Sequence, residues 1–259
     1  MLHLALFAAG LGIGTVGTLI GAGGGWMIVP FLLFCLGLTP QQAVGTSLSI
    51  VFLNALSGSI AYMVQRRVHY RMGVAFAVAT IPGAMIGATL VQHIGSQWFI
   101  LLFGVFLLFL SAFLLKGRTF AEGFFRHSSP EELNSLASPI MLTGMFISFL
   151  VGVVSSLLGI GGGIVHVPFL IVVLGLEVHS ATATSHFVLA VTSLVGTMIF
   201  LYNGQVDFYI AGVMGAGVLL GAQAGAVFSK KMPADPIRKT LAFAVLIFAV
   251  GLILSHIFG

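Results

Sequence analysis

The chain has 259 residues, of which 59% are hydrophobic and 6% are charged, whereas soluble domains carry about 25% charged residues. This composition excludes an ordinary soluble protein and predicts an all-α integral membrane protein whose partner is the lipid bilayer. The formal net charge of +4 does not indicate a nucleic-acid partner, because the basic residues are confined to short loops between apolar segments. Cys35 is the only cysteine, which excludes an intrachain disulfide and a multi-cysteine metal site. We predict no metal site and no cofactor.

Apolar segments follow one another along most of the chain. A helix that crosses a membrane needs about 20 apolar residues, so two of these segments, 26–38 and 163–175, are too short to cross. Each follows a longer segment across a glycine-rich break, and counting each such pair as one broken unit gives about eight helical units. The segments span residues 4–20, 26–38, 43–64, 73–91, 98–115, 138–158, 163–175, 181–202, 209–228 and 240–257. No Lys or Arg precedes the first one, which therefore predicts a retained helix and not a cleaved signal peptide.

The two breaks belong to an internal duplication. Residues 21–88 match residues 159–226 at 21 of 68 positions, at a constant offset of 138 and without gaps. The matches include a run of glycines, a proline and a Thr-Ser pair in one register, which shared apolar composition does not produce. We therefore predict a first membrane repeat at 1–115, a linker at 116–137 and a second membrane repeat at 138–259.

The distribution of basic residues predicts how the repeats cross the membrane. If segments 4–38 and 138–175 were single crossings, the basic residues would divide six to four between the two sides. If each segment is a hairpin that enters and leaves on one side, all ten lie together, and positive residues favour the cytoplasm. We therefore expect repeats of inverted topology, an external loop at 203–208, a cytoplasmic linker loop and external termini in a cell inner (plasma) membrane. The basic residues are Arg66, Arg67, Arg71, Lys116, Arg118, Arg126, Lys230, Lys231, Arg238 and Lys239.

The glycine breaks predict an anion site. Non-helical backbone cannot face lipid, and glycine permits the positive φ angles of a tight turn. A short helix that starts at about Gly24 would direct free N–H groups and the positive end of its dipole inward, which suits an anion. Inverted repeats with broken helices are typical of secondary transporters that bind substrate near the midplane. The predicted binding residues are Gly23, Gly24, Gly25, Gly161, Gly162 and Gly163, whereas we interpret Gly83, Gly87, Gly221 and Gly225 as helix-packing positions.

Polar residues near the breaks extend the predicted site. Thr46 and Ser47, with Thr184 and Ser185, are expected to open the helices after each hairpin, where their hydroxyls would donate to an anion. Helix capping, or a bond to the preceding turn, is an equal alternative. Asn54 lies two turns beyond Ser47 on the same face and is a further candidate.

Two histidines fall at membrane depth, where an ionisable group is a functional candidate. His166 lies in the second short helix and His186 follows the second Thr-Ser pair. Either would carry a proton, coupling proton movement to transport, or would contact the anion. The alternative for each is a structural hydrogen bond between helices.

The sequence resembles the TauE/SafE family of sulfite exporters, also called the toluene sulfonate uptake permease family. The resemblance is carried by the motifs "GAGGGWMIVPFLL" and "GIGGGIVHVPFLI", each followed by a Thr-Ser helix, and it covers essentially the whole chain. It implies a secondary transporter, and an exporter, of sulfur-containing anions such as sulfite or organosulfonates. The family motif corresponds here to the two glycine triplets, Pro30, Pro168 and the two Thr-Ser pairs.

Other functions remain as alternatives. Converging helix dipoles would also suit an anion channel or a carrier for another small organic anion such as a carboxylate. An intramembrane enzyme that uses Ser185 and His186 is disfavoured, because adjacent helical residues point about 100° apart, and we predict no catalytic residue. The sequence does not indicate an oligomeric state.

Overall fold

A computed structural model of the chain describes residues 1–124, 138–229, 246 and 249–251. Within those residues the regular structure is helical, without strands, which confirms the predicted all-α class. Six of the described helices are long and apolar enough to cross a membrane, and the protein is a multi-pass membrane protein. They are α1 (Leu2–Ile20), α3 (Pro40–Val64), α4 (Tyr70–Leu90, continued by a 3-10 turn at Val91–His93), α6 (Pro139–Leu158), α8 (Val178–Tyr202) and α9 (Phe208–Phe228).

Two short helices, α2 (Gly25–Phe34) and α7 (Gly163–Val172), have ten residues each. This length confirms that segments 26–38 and 163–175 do not cross a membrane as single helices. The chain turns back before each of them through glycines with left-handed φ angles, a conformation that is costly for other residues. These glycines are Gly21 (φ 79°), Gly23 (75°) and Gly24 (83°) in the first turn, and Gly159 (72°), Gly161 (80°) and Gly162 (82°) in the second.

The starts of the helices after the hairpins correct one expectation. Thr39 caps α3 in a capping box with Gln42, and Pro40 is the first helical residue. Thr46 and Ser47 therefore lie in the second turn of α3 and do not open it. The equivalent helix α8 begins at Val178, so Thr184 and Ser185 are also beyond its first turn.

The long helices pack in pairs that join the two halves of the sequence. Helix α1 packs against α9, and α6 packs against α4. Both pairs depend on glycines at which a Cβ atom would meet a carbonyl oxygen of the opposite helix. Gly83 and Gly87 face α6, and Gly221 and Gly225 face α1. These contacts confirm the packing interpretation of the four glycines.

The remaining described helix, α5 (Ser96–Phe124), extends beyond the expected end of the first repeat. The first part of the linker at 116–137 is therefore helical. The rest of that linker, the basic group at 230–239 and most of the last apolar segment lie outside the described residues.

Candidate functional site

The two glycine turns meet each other in the interior of the protein. A Cβ atom added to Gly25 would lie 2.5 Å from the carbonyl oxygen of Gly159 and 2.7 Å from the Cα of Ile160. In the same way, a Cβ atom on Gly163 would meet the carbonyl oxygen of Gly21. All residues at 21–25 and 159–163 are buried. The structure therefore brings the two predicted glycine triplets together, with the backbones of the two turns in contact.

Two apolar side chains cover the contact between the turns. Val51 of α3 and Leu189 of α8 both lie against Gly23 and against Gly161. The two residues are equivalent at the offset of 138, and each is fully or almost fully buried. The described arrangement is thus closed, because these side chains fill the space beside both turns.

The short helices begin at this contact. Gly25 and Gly163 are their first residues, and among the described residues no backbone carbonyl accepts a hydrogen bond from either N–H group. Free N–H groups and the positive end of a helix dipole attract negative charge. Two such ends from separate halves of the chain therefore approach one another, as the sequence predicts.

The serines of the Thr-Ser pairs reach across to the opposite turn. Ser47 Oγ donates to the Gly159 carbonyl at 2.8 Å. Ser185 Oγ lies 3.4 Å from the carbonyl oxygen of Gly21 in the opposite turn and 3.3 Å from that of Gly163, and its one hydrogen can be donated to either. Both serines are fully buried. They neither cap a helix nor bond to the preceding turn in the described structure, because their acceptors belong to the glycine turns.

The threonines of the same pairs have a different environment. Thr46 Oγ1 accepts a hydrogen bond from the Asp207 N–H at 2.9 Å, and Thr184 Oγ1 accepts one from the His69 N–H at 3.0 Å. These bonds hold the starts of α9 and α4, and they lie at opposite ends of α3. The threonine hydroxyls therefore join the two halves away from the glycine turns.

Asn54 lies beside the first glycine turn. Its Nδ2 amide donates to the Gly23 carbonyl at 3.2 Å, and its Oδ1 accepts from the Thr18 hydroxyl at 3.1 Å. The equivalent residue of the second half, Thr192, donates instead to Thr80 Oγ1 at 2.9 Å. The amide therefore contacts only one of the two turns.

The two membrane histidines are buried but separate. His166 Nε2 lies 3.0 Å from Ser148 Oγ of α6, and His186 Nε2 lies 3.3 Å from Thr18 Oγ1 of α1. Both rings are almost or completely inaccessible, at 2% and 0% exposure. Each bond joins two helices, and only the bond of His186 leads on to a residue that contacts a glycine turn.

Several residues of the site were not predicted from the sequence. Thr18 lies one turn before the first glycine break, outside the aligned repeat, and its hydroxyl links Asn54 to His186. The Tyr62 hydroxyl donates to the Thr18 carbonyl at 2.7 Å. The signal for Tyr62 was present in the repeat comparison, since its counterpart at the offset of 138 is Phe200, which lacks the hydroxyl.

Comparison with known proteins agrees with this architecture. The family model described as "Sulfite exporter TauE/SafE" matches residues 6–254. The chain is 32% identical to "Probable membrane transporter protein YunE" of Bacillus subtilis, with 100% of both chains covered. It is 28% identical to "Probable membrane transporter protein MJ0441" of Methanocaldococcus jannaschii, over 92% of this chain and 90% of the relative.

A plant protein matches over a shorter region. "Sulfite exporter TauE/SafE family protein 5" of Arabidopsis thaliana is 31% identical over 46% of this chain and 26% of its own length. No solved structure matches the chain. The match of the family model over nearly the whole length, with a full-length relative at 32% identity, shows that the chain is a membrane transporter of the TauE/SafE sulfite exporter family.

Proposed function

We propose that this protein is a secondary transporter that exports sulfur-containing anions, such as sulfite or organosulfonates, down their concentration gradient. The anion would bind between the two glycine turns at the midplane of a cell inner membrane. The observation that carries this proposal is the meeting of two helix N-termini, from the two halves of the chain, at Gly25 and Gly163. The family description, which names sulfite, supports the choice of substrate.

The groups around the turns suit such an anion. A sulfite or sulfonate presents up to three oxygens, each of which accepts hydrogen bonds from N–H or O–H groups. The N–H groups of Gly25 and Gly163 would supply two of these bonds, and Ser47 and Ser185 would redirect their hydroxyls from the turn carbonyls to the anion. Binding requires the turns to separate and the side chains of Val51 and Leu189 to withdraw.

Polar contacts at both ends of the bundle support alternating access. At one end, the side-chain amides of Gln92 and Gln205 donate to each other at 2.7 and 2.6 Å. At the other end, Arg67 Nη1 donates to Ser229 Oγ at 3.1 Å. In repeats of inverted topology with external termini, the first contact would face outward and the second would face the cytoplasm. If the contact at one end breaks while the contact at the other end persists, the site opens to one side of the membrane at a time.

A flux assay in proteoliposomes tests this proposal. Purified protein would be tested with sulfite, sulfoacetate, thiosulfate and lactate, each at a series of concentrations. We expect saturable movement of the sulfur anions and none of lactate. Transport of lactate alone would refute the sulfur assignment, and an unsaturable current would indicate a channel. The Gly212→Ala variant is a matched control, since a Cβ atom at that position of α9 meets nothing within 4 Å.

A further inference from the structure

A directional chain of hydrogen bonds runs from the first glycine turn to His186. Asn54 Nδ2 donates to the Gly23 carbonyl, which leaves Asn54 Oδ1 as an acceptor. The Thr18 hydroxyl donates to that oxygen, and a hydroxyl has only one hydrogen to give. Thr18 Oγ1 can therefore only accept from Nε2 of His186, which lies 3.3 Å away. The chain fixes the hydrogen of a neutral His186 on Nε2.

The other ring nitrogen is left as an open proton-accepting position. In a neutral imidazole with its hydrogen on Nε2, Nδ1 carries a lone pair. His186 Nδ1 is buried and has no hydrogen-bond partner among the described residues. A buried polar atom without a hydrogen-bond partner lowers the stability of the folded protein. A role in transport would explain why the unpaired Nδ1 is kept at this position.

The Gly21 backbone of the first glycine turn lies near the imidazole, and the side chains around the ring do not form a hydrogen bond with Nδ1. Tyr62 faces the ring edge-on with the centroids 5.8 Å apart, but its hydroxyl is donated to the Thr18 carbonyl. The Arg67 guanidinium lies over the Tyr62 ring, 5.8 Å from its centroid. The other titratable or charged groups on the helices packed against His186 either contact other residues or lie at the starts of their helices. Tyr70 contacts Phe187 and His166 bonds to Ser148, while His69, Arg71 and His179 lie at the starts of α4 and α8.

The same location in the other half of the protein has no such chain. A Cβ atom at Gly58 would meet His186, and one at the equivalent Gly196 would meet Leu48, the counterpart of His186. The contact between the glycine and the facing side chain is thus present in both halves, but the facing side chain is ionisable at His186 and apolar at Leu48. At the offset of 138, Thr18, Asn54, Tyr62 and His186 correspond to Ser156, Thr192, Phe200 and Leu48.

We propose that His186 carries one proton together with each anion, so that the protein is a proton–anion symporter. This inference rests on the proposed transport of sulfur anions, and in such a symporter net export occurs only while the outward anion gradient exceeds the inward proton gradient. The Nδ1 lone pair would form an N–H bond with a proton from water on the side to which the site is open. That N–H bond would break on the other side, where water accepts the proton, and no other covalent bond changes.

Charge balance favours symport over the opposite exchange. An unpaired charge at membrane depth is costly, and the described basic side chains of Lys and Arg lie in the loop and first turn at 66–71. A protonated His186 with a monovalent anion has no net charge, and neither has the empty protein with a neutral His186. Both forms would therefore change conformation without moving net charge across the membrane.

Equilibrium accumulation in proteoliposomes tests the proposal. The membrane voltage would be clamped at zero with valinomycin and equal potassium, with the outside one pH unit more acidic. Methanesulfonate serves as the probe because it has no group that titrates near neutral pH. One-to-one symport predicts about tenfold accumulation inside, because one pH unit is a tenfold proton gradient. His186→Gln, which keeps an N–H donor for Thr18 but cannot titrate, should exchange the anion without accumulating it.

Matched variants separate the outcomes. His93→Gln makes the same change at an exposed histidine and should accumulate the anion like the wild type. Equal concentrations on both sides with wild-type protein, or accumulation by His186→Gln, would overturn the proposal. A third result would also overturn it: His186→Gln and His186→Leu both melt like the wild type, yet neither exchanges the anion in the absence of a pH gradient. That result would mean that His186 binds the anion and does not carry a proton.

Failure of the proposed function gives a different result, since wild-type protein would then exchange no sulfur anion at all. If the wild type exchanges sulfite but not methanesulfonate, sulfite replaces it in the accumulation assay. The accumulation of sulfite by the wild type is then compared with its accumulation by His186→Gln. The proton equilibrium of sulfite itself affects both measurements equally.

Discussion

Replacing Gly25 by alanine places a methyl group between the two glycine turns. The added Cβ atom would lie 2.5 Å from the Gly159 carbonyl oxygen and 2.7 Å from the Ile160 Cα. Both are backbone atoms, so the turns must separate by on the order of 0.5 Å to reach a tolerable contact. Overpacking of this kind costs about 1–3 kcal/mol, and the higher helix propensity of alanine returns up to about 1 kcal/mol.

The expected net loss of unfolding free energy is therefore about 0–3 kcal/mol. Transport should suffer more, because the N–H groups that would bind the anion belong to the displaced backbone. We expect the saturating flux of sulfite to fall at least about tenfold, the equivalent of about 1.4 kcal/mol. Flux would be measured in proteoliposomes at matched protein content, with the melting temperature in detergent as a parallel measurement.

Two further variants complete this test. Gly163→Ala should reproduce the loss, because its Cβ atom would meet the Gly21 carbonyl in the equivalent contact. Gly12→Ala should leave flux unchanged, since a Cβ atom at that position of α1 meets nothing within 4 Å. Wild-type flux in both Gly25→Ala and Gly163→Ala would refute the view that the contact between the turns is the transport site.

Three other outcomes are expected. Gly83→Leu forces a side chain onto a backbone carbonyl of α6, so the melting temperature in detergent should fall, and an unchanged value would contradict the packing described for α4. Ser47→Ala leaves the buried Gly159 carbonyl without its 2.8 Å hydrogen bond and should lower the free energy of unfolding by about 1–3 kcal/mol; no change would mean that another donor replaces the serine. In a Cys35→Ser background, which removes the exposed native thiol, Gln205→Cys should react with an impermeant thiol reagent added outside, and labelling only from the cytoplasm would refute the inverted topology.

Much of the fold follows from local properties of the sequence. Segment length separates the crossing helices from α2 and α7, and three adjacent glycines before each short helix require a turn. The misplaced helix starts at Thr46 and Thr184 have a local cause as well. The Thr39-Pro40 pair, with Gln42 three residues after Thr39, is a capping signal, whereas the hydrophobic pattern begins several residues later and predicts a later start.

The cross-links of the site depend on contacts that a single sequence does not reveal. The repeat alignment identifies Ser47 and Ser185 as equivalent residues, but not that each donates to the turn of the other half. That pairing follows from the packing of α3 against α8, the helices that carry the two serines. The same holds for Thr18 of α1, whose contact with His186 of α8 joins residues that are 168 positions apart in the sequence.

An anion-bound structure tests the central claim most directly. Crystals of the protein grown with selenite, which resembles sulfite and carries an anomalous scatterer, would report the position of the bound anion. We expect the selenium peak between the two glycine turns, with anion oxygens within hydrogen-bond distance of the N–H groups of Gly25 and Gly163. A selenium peak elsewhere in the protein, with the two turns still in contact through Gly159 and Gly21, would contradict it.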